Sequence, residues 1–435
     1  MKSNLTKFLD YINGAKTPFH AVRNLGASFS LNGYTKLLES EKWNLELGGK
    51  YYVTKNDSAI IAFTIPSLLT DLSFNLVASH TDSPTFKVKP NHTVETAAHT
   101  LALHLESYGG TILSSWLDRP LSIAGRVVYK DGDKIITKLV DINRPLCVIP
   151  NVAIHQNRSI NDGYKYNVAS DMCALYGENN SKKLEEIIVS ECGLDEDKIC
   201  GMELYLYNYN RGCVFGSDNE FILAPQIDNL ECAYLSHLAI LEANNDLSCN
   251  VYCSFDNEEV GSGSKQGALS TFLADTLERI CDGLGLSNEE LKVALAKSFM
   301  VSCDNAHATH PNQPQLCDSM NRVYMNEGIV VKTNANLAYT TDAVSHAVFT
   351  SILKENNVKY QVFANRSDVR GGSTLGHLSC QQVSIDSIDI GLAQLAMHSS
   401  SEVCGVNDID MMVSGLKAFL NKHLSKDEDN NFIIK

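Results

Sequence analysis

The chain has 435 residues, 44% hydrophobic and 20% charged, and Lys+Arg 36 against Asp+Glu 51 give a net charge of −15. This length and composition are those of a globular chain of two or three domains. The acidic balance and the lack of any Lys/Arg run argue against a nucleic-acid-binding protein. No apolar stretch approaches membrane-spanning length and residues 1–10 hold no apolar signal core, so we expect a cytoplasmic protein without a membrane partner.

The 13 cysteines are odd in number and scattered, and no Cys-x-x-Cys pair occurs. Several of them, among them Cys213, Cys232, Cys253 and Cys303, lie within apolar runs. Buried free thiols in a reducing compartment fit this pattern better than a disulfide framework does.

The first half of the chain changes texture near residue 90. Residues 4–40 predict two amphipathic helices, the second opened by Thr17 and Pro18. Apolar strands follow at 51–53, 59–64 and 74–79. From about 90 to 220 alternating strands dominate, with a hairpin predicted about Asp131 and Gly132. This middle stretch predicts a mostly β insertion.

From Ala224 onward, helices and strands alternate. Helices are predicted at 228–242, 269–284 and 341–356, and strands at 251–255, 298–303 and 360–363. The alternation implies an α/β sheet. We therefore predict an α/β domain of residues 1–90 and 221–435, interrupted by an inserted domain of residues 91–220.

Ligand-type residues recur at the ends of the apolar runs. Glu258 and Glu259 adjoin at the end of one run, an expensive arrangement unless something uses or neutralises the two carboxylates. The other runs end near residues of the same kind, namely His80, Asp82, Asp228, Asp304 and His398. Such groups meet at the carboxyl ends of strands in open α/β sheets.

Each of these residues also has a simpler interpretation. Asp228 can cap the helix that follows it, Asp304 can cap a turn, and His398 can be a core histidine. His80 and Asp82 are two apart, so they project the same way from an extended segment, where Asp82 can support the ring of His80.

Taken together, the histidines and carboxylates predict a site for two divalent ions, Zn or alternatively Mn or Co, that activates water for hydrolysis. Glu258 is expected to face the opposite side of its strand from Glu259 and to act as the general base.

Five blocks, at residues 76–84, 221–230, 255–262, 304–312 and 394–399, resemble the signature blocks of the aspartyl aminopeptidases and their relatives. The resemblance implies a mixed-sheet zinc-peptidase domain flanked by helices, with the insertion serving in dimerisation. It implies that His80 and Asp304 hold one ion, that Glu259 and His398 hold the other, and that Asp228 bridges them. It also implies a cis peptide bond between Asp228 and Asn229, with Asp82 orienting His80.

The resemblance further implies peptide substrates with a free N-terminus and a preference for N-terminal Asp or Glu. Dimers would assemble into a dodecamer, and a neighbouring subunit would lend His155 to the active site. The remaining substrate-binding residues that it implies are Lys332, Tyr339, His307, Thr374 and Gly376.

Two departures from the family pattern bear on specificity. His377 stands where relatives commonly have Pro, and residues 108–116 lack a Gly and a His of the family pattern. A neutral, Leu-like or broad N-terminal preference is therefore the alternative to an acidic one. A non-catalytic, self-assembling relative is a further alternative, against which Glu258 and the full ligand set argue.

Overall fold

Residues 3–369 and 371–435 are described by a computed structural model. The elements before the insertion are α1 (Asn4–Gly14), α2 (Pro18–Leu31), β1 (Thr35–Lys36), β2 (Lys50–Lys55), β3 (Ala59–Thr64) and β4 (Ser73–His80). Those of the insertion are β5 (Thr85–Glu95), β6 (Thr100–Tyr108), β7 (Leu121–Asp131), β8 (Lys134–Asp141), α3 (Val168–Asp171), β9 (Ala174–Glu178), α4 (Leu184–Cys192) and β10 (Ile199–Asn208).

The rest of the chain returns to alternating helices and strands. Its elements are β11 (Cys213–Phe215), β12 (Phe221–Ala224), α5 (Ile227–Glu242), β13 (Ser248–Phe255), α6 (Phe272–Gly283), α7 (Asn288–Ala296), β14 (Phe299–Cys303), β15 (Ala306–His307), β16 (Ile329–Thr333), α8 (Ala343–Glu355), β17 (Tyr360–Ala364), α9 (Leu375–Ser379), β18 (Asp386–Gly391), β19 (Ala393–Leu395), β20 (Glu402–Gly405), α10 (Val406–Leu420), β21 (Leu424–Lys426) and β22 (Phe432–Ile434).

A nine-stranded mixed sheet, in the order β1-β2-β3-β13-β4-β14-β18-β16-β17, forms the centre of the fold. Alternate residues of its strands enter two separate apolar cores, because successive side chains point to opposite faces. In β3, Ile60 and Ala62 join one core while Ile61 and Phe63 join the other. Helices α1, α2, α5, α8 and α10 contribute to the first core, and α6, α7 and α9 to the second. The predicted α/β fold, a mixed sheet flanked by helices, is confirmed.

The insertion builds an antiparallel six-stranded sheet, in the order β8-β7-β10-β5-β6-β9, over an apolar core of its own. The hairpin of β7 and β8 is present, with Asp131 paired to Lys134, so its turn falls at Gly132 and Asp133. The predicted boundary between residues 90 and 91 falls inside β5, which starts at Thr85. The predicted boundary between residues 220 and 221 coincides with the start of β12 at Phe221. Two smaller sheets complete the fold, one in the order β11-β12-β20-β19-β15 and one formed by β21 and β22.

Several local predictions can be compared with the structure. The two N-terminal helices are confirmed as α1 and α2. The peptide bond between Asp228 and Asn229 is cis, as the family resemblance implies. All 13 cysteines are free, and the expectation of burial holds for Cys232, Cys253 and Cys303 but is wrong for Cys213, which is exposed. Within the described ranges, no helix is both long enough and apolar enough to cross a membrane.

Candidate metal centre

The candidate ligands converge on one edge of the nine-stranded sheet. Strands β13, β4, β14 and β18 run parallel, so their carboxyl ends meet there. His80 ends β4, Glu258 and Glu259 follow β13, and Asp304 follows β14. Asp228 approaches from the start of α5, and His398 from the segment between β19 and β20.

Two clusters of potential ligand atoms share Asp228. In the first, Nε2 of His80 lies 3.5 Å from Oδ1 of Asp228 and 3.7 Å from Oδ1 of Asp304. In the second, Nε2 of His398 lies 3.4 Å from Oδ2 of Asp228 and 3.5 Å from Oε2 of Glu259. Within each cluster the candidate ligand atoms lie within 4.8 Å of one another. Each oxygen of Asp228 thus serves a different cluster, which is the arrangement of a bridging carboxylate.

The chemistry of these donors fits divalent cations. Asp228 is buried, and no hydrogen bond from the described residues reaches its Oδ1. An unpartnered carboxylate oxygen inside a protein is costly unless a cation binds it. The clusters offer imidazole nitrogen and carboxylate oxygen, which suit Zn, Mn and Co.

Electrostatics also favours positive charge at the centre. Burial raises the pKa of Glu258 to about 8, and Asp304 and Asp82 raise it while His80 opposes them. Burial, with the nearby Asp228, also raises the pKa of Glu259 well above its usual range. Burial lowers the pKa of His80, but Asp228, Asp304 and Asp82 outweigh that effect and raise it overall. Crowded carboxylates that resist ionisation, beside histidines that retain protons, are typical of a site whose negative charge a cation neutralises.

Glu258 and Glu259 lie on a turn, so the expectation that they face opposite sides of a strand is wrong. Strand β13 ends at Phe255, and Glu258–Val260 forms a single turn of 3-10 helix. Asn257 before this turn and Gly261 after it have left-handed backbones, with φ of 63° and 92°. Such conformations bend the chain sharply, and Gly261 adopts its own without a Cβ penalty.

Asp82 fixes this turn through the backbone. Its Oδ1 and Oδ2 accept hydrogen bonds of 3.1 Å from the N–H groups of Glu258 and Glu259 respectively. The hydroxyl of Tyr108 donates to Oδ2 at 2.7 Å, and Nδ1 of His80 lies 3.3 Å from Oδ1. The same Nδ1 is 3.0 Å from the backbone oxygen of Asp82. Asp82 therefore links the segment that carries His80 to the segment that carries the glutamates.

Sequence reasoning assigned no role to Tyr108 or Glu402. Tyr108 ends β6 and opens a Tyr-Gly-Gly segment that brings the insertion against the centre. The backbone oxygen of Gly110 in this segment lies 3.2 Å from Nδ1 of His398. That motif was the available signal. Glu402 is buried at the start of β20 and bonds to the backbone of two candidate ligands. A lone glutamate after three serines gives no comparable signal.

Among the predicted substrate-binding residues, His307 lines a cavity of about 290 Å³ that Met397, next to His398, also lines. Lys332 is buried, and its Nζ donates to the backbone oxygens of Asp304 at 2.7 Å and Asn305 at 3.3 Å. The same Nζ lies 5.1 Å from the ring centre of Tyr339. The ammonium of Lys332 therefore contacts the main chain of the segment that carries Asp304.

The other three predicted substrate-binding residues differ in their surroundings. Thr374 is buried and donates its hydroxyl to Oδ1 of Asp389 at 2.6 Å. Gly376 lies so close to Ser302 and Asp389 that a Cβ would come within 2.8 Å of the Ser302 side chain. His155 is exposed on the segment between β8 and α3. No contact among the described residues joins His155 to the centre within this subunit.

A candidate centre lined by nitrogen and oxygen donors at the carboxyl edge of an α/β sheet is typical of one class of protein, the metallohydrolases. A family model described as Aminopeptidase I zinc metalloprotease (M18) matches residues 11–420. The chain belongs to this M18 family and is a metallo-aminopeptidase.

Individual relatives agree with the family match. The chain is 43% identical over 423 residues to a probable M18 family aminopeptidase 2 of Clostridium acetobutylicum, covering 95% of this chain and 98% of that one. Its fold is similar to a chain of the Ape4 and Nbr1 complex, with TM-score 0.93, 35% identity, and coverage of 96% of this chain and 85% of that one. The S. cerevesiae mApe1 dodecamer is similar with TM-score 0.83 and 25% identity, and 95% of each chain is covered.

Proposed function

We propose that this M18 aminopeptidase is a dinuclear enzyme that removes N-terminal Asp or Glu from peptides. The observation that supports it best is the sharing of Asp228 between the two ligand clusters. His80 and Asp304 would hold one ion, and Glu259 and His398 the other. Zinc is the proposed metal, and Mn or Co suits the same donors.

The bound ions would supply Lewis acidity, acidifying a water and polarising the scissile carbonyl. The chain supplies the proton transfers. A carboxylate oxygen of Glu258 lies within 4.8 Å of a ring nitrogen of His80 and of a carboxylate oxygen of Glu259. Glu258 would accept the proton of the attacking water and pass it to the leaving amine. Asp82 would keep Glu258, Glu259 and His80 in register through the bonds described above.

For acidic side chains, the proposed recognition rests on Lys332, with Tyr339, His307, Thr374 and Gly376 nearby in the substrate site. Burial lowers the pKa of Lys332, but Asp304 and the neighbouring Tyr339 and Asp389 raise it overall, so the ammonium stays charged. Two backbone oxygens use two of its three donors. The third is the one that a substrate carboxylate would take, in competition with Oδ2 of Asp304, which lies 4.0 Å from Nζ.

A neutral or broad preference is the second candidate, and one observation favours it. The cavity lined by His307 is also lined by Leu316, Phe363, Leu395 and Met397, which are apolar, and Arg366 in the same lining is already paired with Asp368. Such a lining suits an uncharged side chain better than a carboxylate.

Kinetics on matched peptides separate the two candidates. The zinc-loaded enzyme is assayed on peptides that differ only in an N-terminal Asp, Glu, Leu or Ala. An acidic preference predicts the highest kcat/KM for Asp or Glu. A higher kcat/KM for Leu, with an equal dependence on added metal, would replace the acidic proposal by the neutral one.

We also propose that the enzyme is a cytoplasmic dodecamer assembled from dimers, with residues 91–220 as the dimerisation domain and His155 lent to the neighbouring site. The mApe1 relative is a dodecamer. His155 is exposed together with Val152 and Ile154 on one segment, which suits an intersubunit contact. The free cysteines suit a reducing compartment. Native mass spectrometry and cell fractionation test these two points.

A further inference from the structure

Glu402 joins the backbones of two candidate ligands that come from different parts of the chain. Its Oε2 accepts a 2.9 Å hydrogen bond from the N–H of Asp228, and its Oε1 accepts a 2.6 Å hydrogen bond from the N–H of His398. The side chain is 1% exposed, so water does not compete for either oxygen. Asp228 and His398 are also 3.4 Å apart through their own side chains, within the second cluster.

Both backbones held by Glu402 are irregular. His398 has φ of 68°, a left-handed conformation that is uncommon for a residue with a side chain. Asp228 departs from helical geometry although it lies within the bounds of α5. Conformations of this kind persist when their surroundings determine them, and Glu402 supplies a fixed contact to each.

The position is unfavourable for a carboxylate chosen for stability alone. Within residues 3–369 and 371–435, no lysine or arginine forms an ion pair with Glu402, and Asp228 places a second carboxylate next to it. A buried charge without a cation partner is costly. What glutamate offers here, and glutamine does not, is two acceptor oxygens at a fixed separation, one for each N–H group.

We propose that Glu402 is a positioning residue that sets the spacing of Asp228 and His398 before a cation arrives. By this role it would determine how tightly the cluster of Asp228, Glu259 and His398 binds its ion. The inference rests on the proposed dinuclear centre. Residues that hold metal ligands in place typically contribute about 10–100-fold to metal affinity.

The test is a competition between the whole protein and a chromophoric chelator for Zn²⁺. Wild-type protein should bind two ions per subunit. In Glu402→Gln, an amide N–H must face one of the two backbone N–H groups, so one ion should bind about 10–100-fold more weakly. Asp408→Asn is the matched control, because Asp408 is a buried carboxylate that accepts from the backbone N–H groups of Asn326 and Gly328 and touches no candidate ligand. It should retain both wild-type affinities.

The outcomes separate the two ideas. Failure of the wild type to bind two ions would overturn the proposed dinuclear function. Two ions bound with unchanged affinity by Glu402→Gln, or an equal loss in Asp408→Asn, would overturn only the positioning role. If Glu402→Gln does not fold, hydrogen exchange of the metal-free wild type decides. The amides of Asp228 and His398 should be protected, and rapid exchange at both would overturn the inference.

Discussion

At the scale of single residues, two carboxylates outside the candidate ligand set fix the main chain that carries the candidate ligands. Asp82 accepts from the N–H groups of Glu258 and Glu259, and Glu402 accepts from those of Asp228 and His398. Each ligand side chain therefore starts from a fixed main chain. The enzyme then loses less conformational freedom when the site fills.

Replacing Glu258 by Gln should lower kcat by about 10²–10⁴-fold, because the amide can neither accept nor return a proton. Zinc content and assembly should be unchanged, since the proposed ligands remain. Turnover under saturating substrate, with metal analysis of the same sample, measures both. Near-normal kcat with two bound ions would remove Glu258 from the role of general base.

Replacing Lys332 by Met separates substrate recognition from support of Asp304. If the ammonium binds an acidic side chain, kcat/KM should fall about 10-fold or more for Asp peptides and little for Leu peptides. If the ammonium serves only the backbone oxygens of Asp304 and Asn305, both substrates should be affected alike and zinc should bind more weakly. Thr333→Val is a useful control, because Thr333 is the next residue of β16 and donates to Phe363 instead.

At the scale of elements, the parts that were predicted are those governed by periodicity. The ends of β4, β13 and β14 follow from apolar runs, and those ends place His80, the two glutamates and Asp304 on one edge. The chain turns at Glu258, where a strand was expected, because Asn257 before it has a left-handed backbone. Asparagine adopts that conformation readily, and no hydrophobic pattern indicates it. Helix α7 was missed because it is short and buries only Leu291 and Ala294.

Contacts between distant segments were the least predictable. Glu402 bonds to Asp228, which lies far away in sequence, so no local pattern indicates the pair. The same holds for Lys332, because its backbone partners on Asp304 and Asn305 are apparent only in the folded chain.

Helix α5 carries a prediction about acid stability. His237 is fully buried beside Phe29, and burial lowers its pKa to about 3. An unfolded histidine titrates near 6.5, so as the pH falls the unfolded chain binds this proton first. The free energy of unfolding should therefore decline from about pH 6.5 to about pH 3, with His237 contributing up to about 1.4 kcal/mol per pH unit.

His237→Gln should make this pH dependence shallower by that amount while a side-chain nitrogen remains to meet Ser28, whose hydroxyl lies 2.8 Å from Nε2 of His237. Ser28→Ala removes the same hydrogen bond but leaves the imidazole, so it should lower stability and keep the slope. Urea unfolding of metal-free protein at several pH values measures both. Equal slopes for wild type and His237→Gln would contradict the prediction.

At the scale of the whole molecule, the exposed position of His155 bears on whether one subunit alone has a complete active site. In the described subunit His155 is exposed and has no contact with the centre. If a neighbour lends it, a subunit alone has an incomplete site, and activity should depend on protein concentration as well as on metal.

Mixing two inactive variants tests this arrangement. His155→Ala and Glu258→Gln should each be poorly active alone. When they are refolded together, a mixed dimer contains one site with both residues intact, so random pairing should restore about a quarter of wild-type activity. A mixture no more active than its components would place His155 outside the neighbouring site.

The order of the ligands along the chain has a consequence for synthesis. His80 lies in β4, whereas His398 lies beyond β19, so the candidate ligands are separated by more than 300 residues of sequence. A nascent chain still on the ribosome lacks the late histidine and the strand that anchors it. If both histidines bind metal as proposed, hydrolytic capacity should arise only after His398 and β20 have been synthesised, and products truncated before them should lack peptidase activity.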